Sequence, residues 1–160
     1  MTVPDPAPDL VVAAAAIHAA VAARDPWLAE LPIVGIGWAT VELDRAEREL
    51  SGVAKFEAAP RDSALGAAAR RSPIAERTRP AVVLLEPDTE GLLAAALARF
   101  GEGVEVVYLG PLAREDIDDT PRLGPPRPGP LGPARLVIGR PPWGPHALVL
   151  AGATRRRRDG

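Results

Sequence analysis

The chain has 160 residues, enough for one domain with a real core, and 47% of them are apolar, which excludes a chain disordered throughout. A formal net charge of −2 gives no bulk attraction to nucleic acid or an acidic surface, and the lack of cysteine excludes disulfides, thiolate nucleophiles and zinc–thiolate sites. One lysine, Lys55, against 18 arginines reads as genomic, actinobacterial-type composition and carries no functional meaning. No apolar run approaches the roughly 18 residues that a membrane span needs. "MTVPDPAPD" lacks the basic start of a signal peptide, so neither a membrane nor an export route is expected and the protein is read as cytoplasmic.

Residues 1–8 are proline-bearing and expected to be flexible. Asp9 is placed to cap a helix over 10–24, with Leu10, Ile17, Val21 and Trp27 on one face and Asp25-Pro26 as the stop. "PIVGIGWATVEL" (32–43) reads as a strand with Trp38 at its centre. Asp44 opens a short helix that ends at Gly52, and the alternation in "VAKFEA" (53–58) predicts a half-exposed strand. "ALGAAARRS" (64–72) suits either a helix or a strand.

"AVVLLEP" (81–87) is a continuous apolar run and predicts a buried strand. Asp88 or Thr89 would cap the helix that follows, whose apolar face is Leu92, Leu93, Ala96 and Phe100, with Gly101 and Gly103 ending it. "VEVVYLG" (104–110) is another strand. Seven prolines across 111–133 exclude a regular central strand there. "ARLVIG" (134–139) and "HALVLAG" (146–152) read as the last two strands, and "TRRRRDG" as a solvated basic tail over 154–160. Many short strands and few helices favour an α+β fold around a mixed sheet over a doubly wound parallel one.

With the elements in this order, "VGIGWATVELDRA", "VVLLEPDTEGLLAAALARFGEGVEVVYL" and "GPARLVIGRPPWGPHALVLAGA" resemble the corresponding segments of the vicinal-oxygen-chelate superfamily (the glyoxalase, bleomycin-resistance and dioxygenase fold), and within it methylmalonyl-CoA epimerase. The likeness runs over about 33–153. It implies a strongly curved mixed sheet of βαβββ type, here with a shortened second module and an extra N-terminal helix, in a single domain over 9–153. It also implies that the 89–100 helix packs outside the sheet. The family's metal ligands fall on Gly35, on Val83 (or Ala81), on Val106 and on Val149. A divalent ion needs several N or O donors converging on it, so the resemblance implies no metal and no cofactor here.

The polar residues left to a site are few. His146, at the start of the last strand, is a candidate base or ligand contact in the cup of the sheet, or else a strand-end histidine near solvent. Glu86, at a strand end, either points into a site or bonds local backbone. Glu57 and Glu105 are candidate bases, or else belong to exposed strand faces. Trp38 is expected to line the cup, and His18 to be a partly exposed helix residue. "VGIG" lies inside a strand and lacks the strand–turn–helix context of a nucleotide loop. The resulting expectation is a small-molecule-binding protein without a metal, with Trp38, Glu86 and His146 around the ligand. Any catalysis would fall to Glu57, Glu86, Glu105 or His146. The alternatives are a metal-dependent lyase or isomerase of the same superfamily and a protein-interaction module. A small organic ligand and a homodimer are the partners expected.

Overall fold

The computed structural model describes residues 8–73, 79–112, 122–139, 141 and 144–152, so the N-terminal segment, the basic tail and Trp143 lie outside it. The chain is α+β. Helix α1 (Pro8–Arg24) and a 3-10 turn (Pro26–Glu30) lead into β1 (Ile33–Ala39), α2 (Leu43–Glu49), β2 (Glu57–Asp62), β3 (Ala67–Arg71) and β4 (Ala81–Pro87). Helix α3 (Leu92–Phe100) then joins β4 to β5 (Gly103–Leu112), β6 (Ala134–Leu136) and β7 (His146–Ala151).

All seven strands form one mixed sheet in the order β2-β3-β4-β1-β5-β7-β6. β1 runs parallel to β4 and antiparallel to β5, and β5 runs parallel to β7. Strand alternation sorts the apolar residues into two layers. Ile36, Val82, Leu84, Val107, Leu109, Ala147 and Val149 pack with Leu10, Ile17 and Val21 of α1 and Ala46 of α2. Their neighbours Ala39, Val83, Leu85, Val106, Tyr108 and Leu148 face the other way. We call these the helix face and the inner face.

The sheet curls around the inner face. Residues 122–133 bridge to the β6 edge, with Arg127 and Ala134 exchanging backbone hydrogen bonds of 2.9 Å. The Ser63 N–H, in the turn between β2 and β3, donates to the Pro128 carbonyl at 3.0 Å. In a flat sheet β3 and β6 would stand five spacings apart, about 24 Å. One chain stretch meets both, so the sheet must be rolled into a half-barrel.

Several local expectations are corrected. Residues 53–56 are not strand, because the last turn of α2 continues into them: the N–H groups of Val53 and Ala54 bond to the Leu50 carbonyl at 2.9 and 3.3 Å. The strand begins only at Glu57. Helix α1 starts at Pro8, one residue before the expected cap. Helix α3 starts at Leu92 after Gly91 with no side-chain cap, and Asp88 pairs with Arg61 instead. Phe100 is exposed at 56%, while Leu93 and Leu97 pack with the inner-face residues, so α3 is not confined to the outside of the sheet.

Candidate functional site

The concave inner face is where the sequence resemblance would place a site, and registry gives its lining. One row runs Glu57–Arg71–Val83–Gly37–Val106–His146 across β2, β3, β4, β1, β5 and β7. The next row runs Ala81–Gly35–Tyr108–Leu148–Leu136. The two glycines allow the close approach seen here. A Cβ on Gly37 would lie 2.6 Å from the Val106 Cβ, and one on Gly35 would lie 2.5 Å from the Leu131 Cδ1.

Polar groups on this surface are sparse. Tyr108 is fully buried and its hydroxyl donates to Asp62 Oδ2 at 2.7 Å. The other carboxylate oxygen of Asp62 accepts the Leu65 N–H at 2.9 Å, closing the β2–β3 turn. Burial pushes the Asp62 carboxyl above the ordinary aspartate range, against the opposing effect of the Tyr108 hydrogen bond. Burial, and then the Asp62 charge, push the Tyr108 phenol well up. Arg71 donates from Nη1 to the Pro130 carbonyl at 2.5 Å and stands 3.6 Å from Glu57 through Nε.

The sequence-derived candidates separate. His146 is 2% exposed and stands beside Val106, so it is not a solvent-side strand end. Glu105 fills the bulge where β5 slips against β1 between Gly37 and Trp38, one residue before Val106. It is 8% exposed, and burial raises its carboxyl to about 7. Glu86 accepts the Leu43 N–H at 3.1 Å and so caps α2, on the helix side of β4. Glu57 is exposed on the edge strand beside Arg71. Trp38 packs with the helix-face residues beside Ile36, so it is no wall of the inner face. His18 bonds through Nε2 to the Leu28 carbonyl at 2.8 Å. Sequence reasoning missed Asp62, Arg71 and Leu131. Only the Asp-Ser-Ala-Leu-Gly turn signature hinted at the first.

The positions that correspond to metal ligands are equally informative. Gly35, Val83 and Val106 do lie on the inner face, but Val149 is on the helix face and Leu148 takes the inner position on β7. A one-residue slip on any of the four strands reaches one further donor, Glu105 in the β5 bulge, while Tyr108 and His146 lie two and three residues from the matched positions. Among the described residues no three of His, Asp and Glu converge. The described residues do not fit a four-ligand metal centre.

This curled mixed sheet, with its βαβββ connectivity through β1–β4, is the fold of the vicinal-oxygen-chelate superfamily. Among solved structures, the chain is similar to a methylmalonyl-CoA epimerase in complex with methylmalonyl-CoA and NH4+ (22% identity, TM-score 0.61, 78% of this chain and 96% of that one). It is similar to Streptomyces coelicolor methylmalonyl-CoA epimerase in complex with 2-nitronate-propionyl-CoA (23% identity, TM-score 0.60, 77% and 95%). It is also similar to methylmalonyl-CoA epimerase from Mycobacterium tuberculosis (16% identity, TM-score 0.56, 76% and 87%). At these identities the likeness is one of fold. No protein-family model matches the chain, and no curated protein matches it. No helix among the described residues is long and apolar enough to cross a membrane.

Proposed function

We propose that this protein binds a small organic molecule on the inner face of its half-barrel, without a metal and without catalysing a reaction of its own. The observation that carries the reading is the make-up of that face: Gly35, Val83, Val106 and Leu148 at the points where donors would stand, with Tyr108, Asp62, His146 and Arg71 as its few polar groups. A concave, mostly apolar surface with a few placed polar groups suits binding. The fold of the solved relatives, one of them in complex with methylmalonyl-CoA, supports a small-molecule site. The test is native mass spectrometry with elemental analysis of the purified protein. A co-purified organic molecule with no stoichiometric metal supports the reading, and one equivalent of tightly held divalent metal overturns it.

A second reading, a protein-interaction module or homodimer, is supported by the outer surface of α1. Val11 and Val12 are 44% and 68% exposed there, beside exposed Ala15, Ala16, Ala19, Ala20 and Ala23. Sedimentation at two concentrations, with a Val12→Glu control, reads out self-association through this surface.

A further inference from the structure

The inner face already holds an occupant, and it belongs to the chain itself. Residues 128–131 cross the opening as a strap, fixed by the Ser63 N–H to Pro128 and by the Arg71 guanidinium to Pro130. From this strap the Leu131 side chain enters the inner-face cluster and takes the space above Gly35 and beside Tyr108. The strap therefore presents a carbonyl oxygen to an arginine and a branched aliphatic group to an apolar slot. The Nε of this arginine makes no hydrogen bond and faces the Glu57 carboxylate at 3.6 Å, which leaves the Nη edge as the one that meets the strap. A single carbonyl meets one N–H of the guanidinium, whereas a carboxylate can bridge Nη1 and Nη2.

We propose that residues 130–131 stand in for the ligand, and that the site takes a short branched aliphatic carboxylate whose entry displaces the strap. This rests on the small-molecule reading above and names its ligand class. The carboxylate replaces the Pro130 carbonyl on Arg71 Nη1 and reaches Nη2 with its second oxygen, and the hydrocarbon tail replaces Leu131 over Gly35. Glu57, on the outer side of Arg71, competes for the same cation. The strap is thus both a lid and an internal competitor, and it sets the affinity of the site by how firmly it is held.

The probe 5-methylhexanoate reproduces the spacing between the Pro130 carbonyl carbon and the Leu131 methyl groups. Amide NMR titrations of the full chain compare it with the neutral 5-methylhexanamide. Leu131→Ala should bind the carboxylate about tenfold or more tightly than the unaltered chain, with shifts at Gly35 and Tyr108, because the internal competitor is gone. It should also prefer the acid over the amide by about tenfold, the worth of a charge-assisted pair. Adding Arg71→Gln, which removes both the charge and the fork, should erase that preference. Glu57→Gln, which leaves strap and slot intact, should tighten acid binding in the unaltered background and gives a readout even where Leu131→Ala does not fold. Equal binding of acid and amide overturns the proposed ligand class and leaves the small-molecule reading standing. No shift at Gly35 or Tyr108 with either probe, in any folded variant, overturns both.

Discussion

Tyr108 and Asp62, 46 residues apart in the chain, meet in a 2.7 Å hydrogen bond on the inner face, and at 0% and 1% exposure neither has access to bulk water. The bond ties a central strand to the β2–β3 turn near the sheet edge. Tyr108→Phe keeps the ring and removes the donor, leaving a buried carboxyl short of one partner. A loss of about 1–3 kcal/mol in urea unfolding is expected. A change well under that range would mean that the pair contributes nothing to stability.

Glu105 gives the fold a pH dependence of definite sign. Its carboxyl rises from 4.5 to about 7 on burial, so the folded state holds the proton more firmly than the unfolded chain does. Its contribution is favourable below pH 4.5 and is lost as pH rises to 7, by at most about 3 kcal/mol. Urea unfolding at pH 5 and pH 8 should show the loss, and Glu105→Gln should remove this part of the slope. An unchanged slope in Glu105→Gln assigns the effect to another group.

Gly37 has no room for a side chain. An added Cβ meets the Val106 Cβ at 2.6 Å and the Leu85 Cδ1 at 3.1 Å, and the first of these atoms sits on a strand backbone that cannot swing aside. Gly37→Ala should cost about 1–3 kcal/mol by overpacking. Gly52→Ala, with nothing within 4 Å, should be neutral or slightly stabilising and serves as the control. Equal unfolding midpoints for the two variants would contradict the tight β1–β5 approach.

Trp38 separates stability from binding. It packs under the helices and away from the inner face, so Trp38→Ala should cost about 2–4 kcal/mol as a partly buried large-to-small change. The affinity of a folded Trp38→Ala protein for 5-methylhexanoate should be unchanged within twofold. A large loss of affinity with the fold intact would place Trp38 at the site after all.

The sequence by itself determined most of the strands and which of their residues share a face, though not that 53–56 stay out of the sheet or that 67–71 enter it. The run 81–87 is strand throughout, and the alternation in β1 puts Ile36 and Trp38 on one side and Gly35, Gly37 and Ala39 on the other. Of the four positions that the resemblance matched to metal ligands, three lie on the inner face, because a period of two survives any curling of the sheet. Alternation alone does not say which side the helices will cover. That depends on how α1 docks across β1, β5 and β7, and it put Trp38 in the core and His146 inside the half-barrel. Nor can local pattern carry the contacts between Tyr108 and Asp62, or between Leu131 and Gly35. Both join segments far apart in the chain, and both exist only because the sheet rolls until its two edges meet one strap, a closure set by the packing of the whole chain.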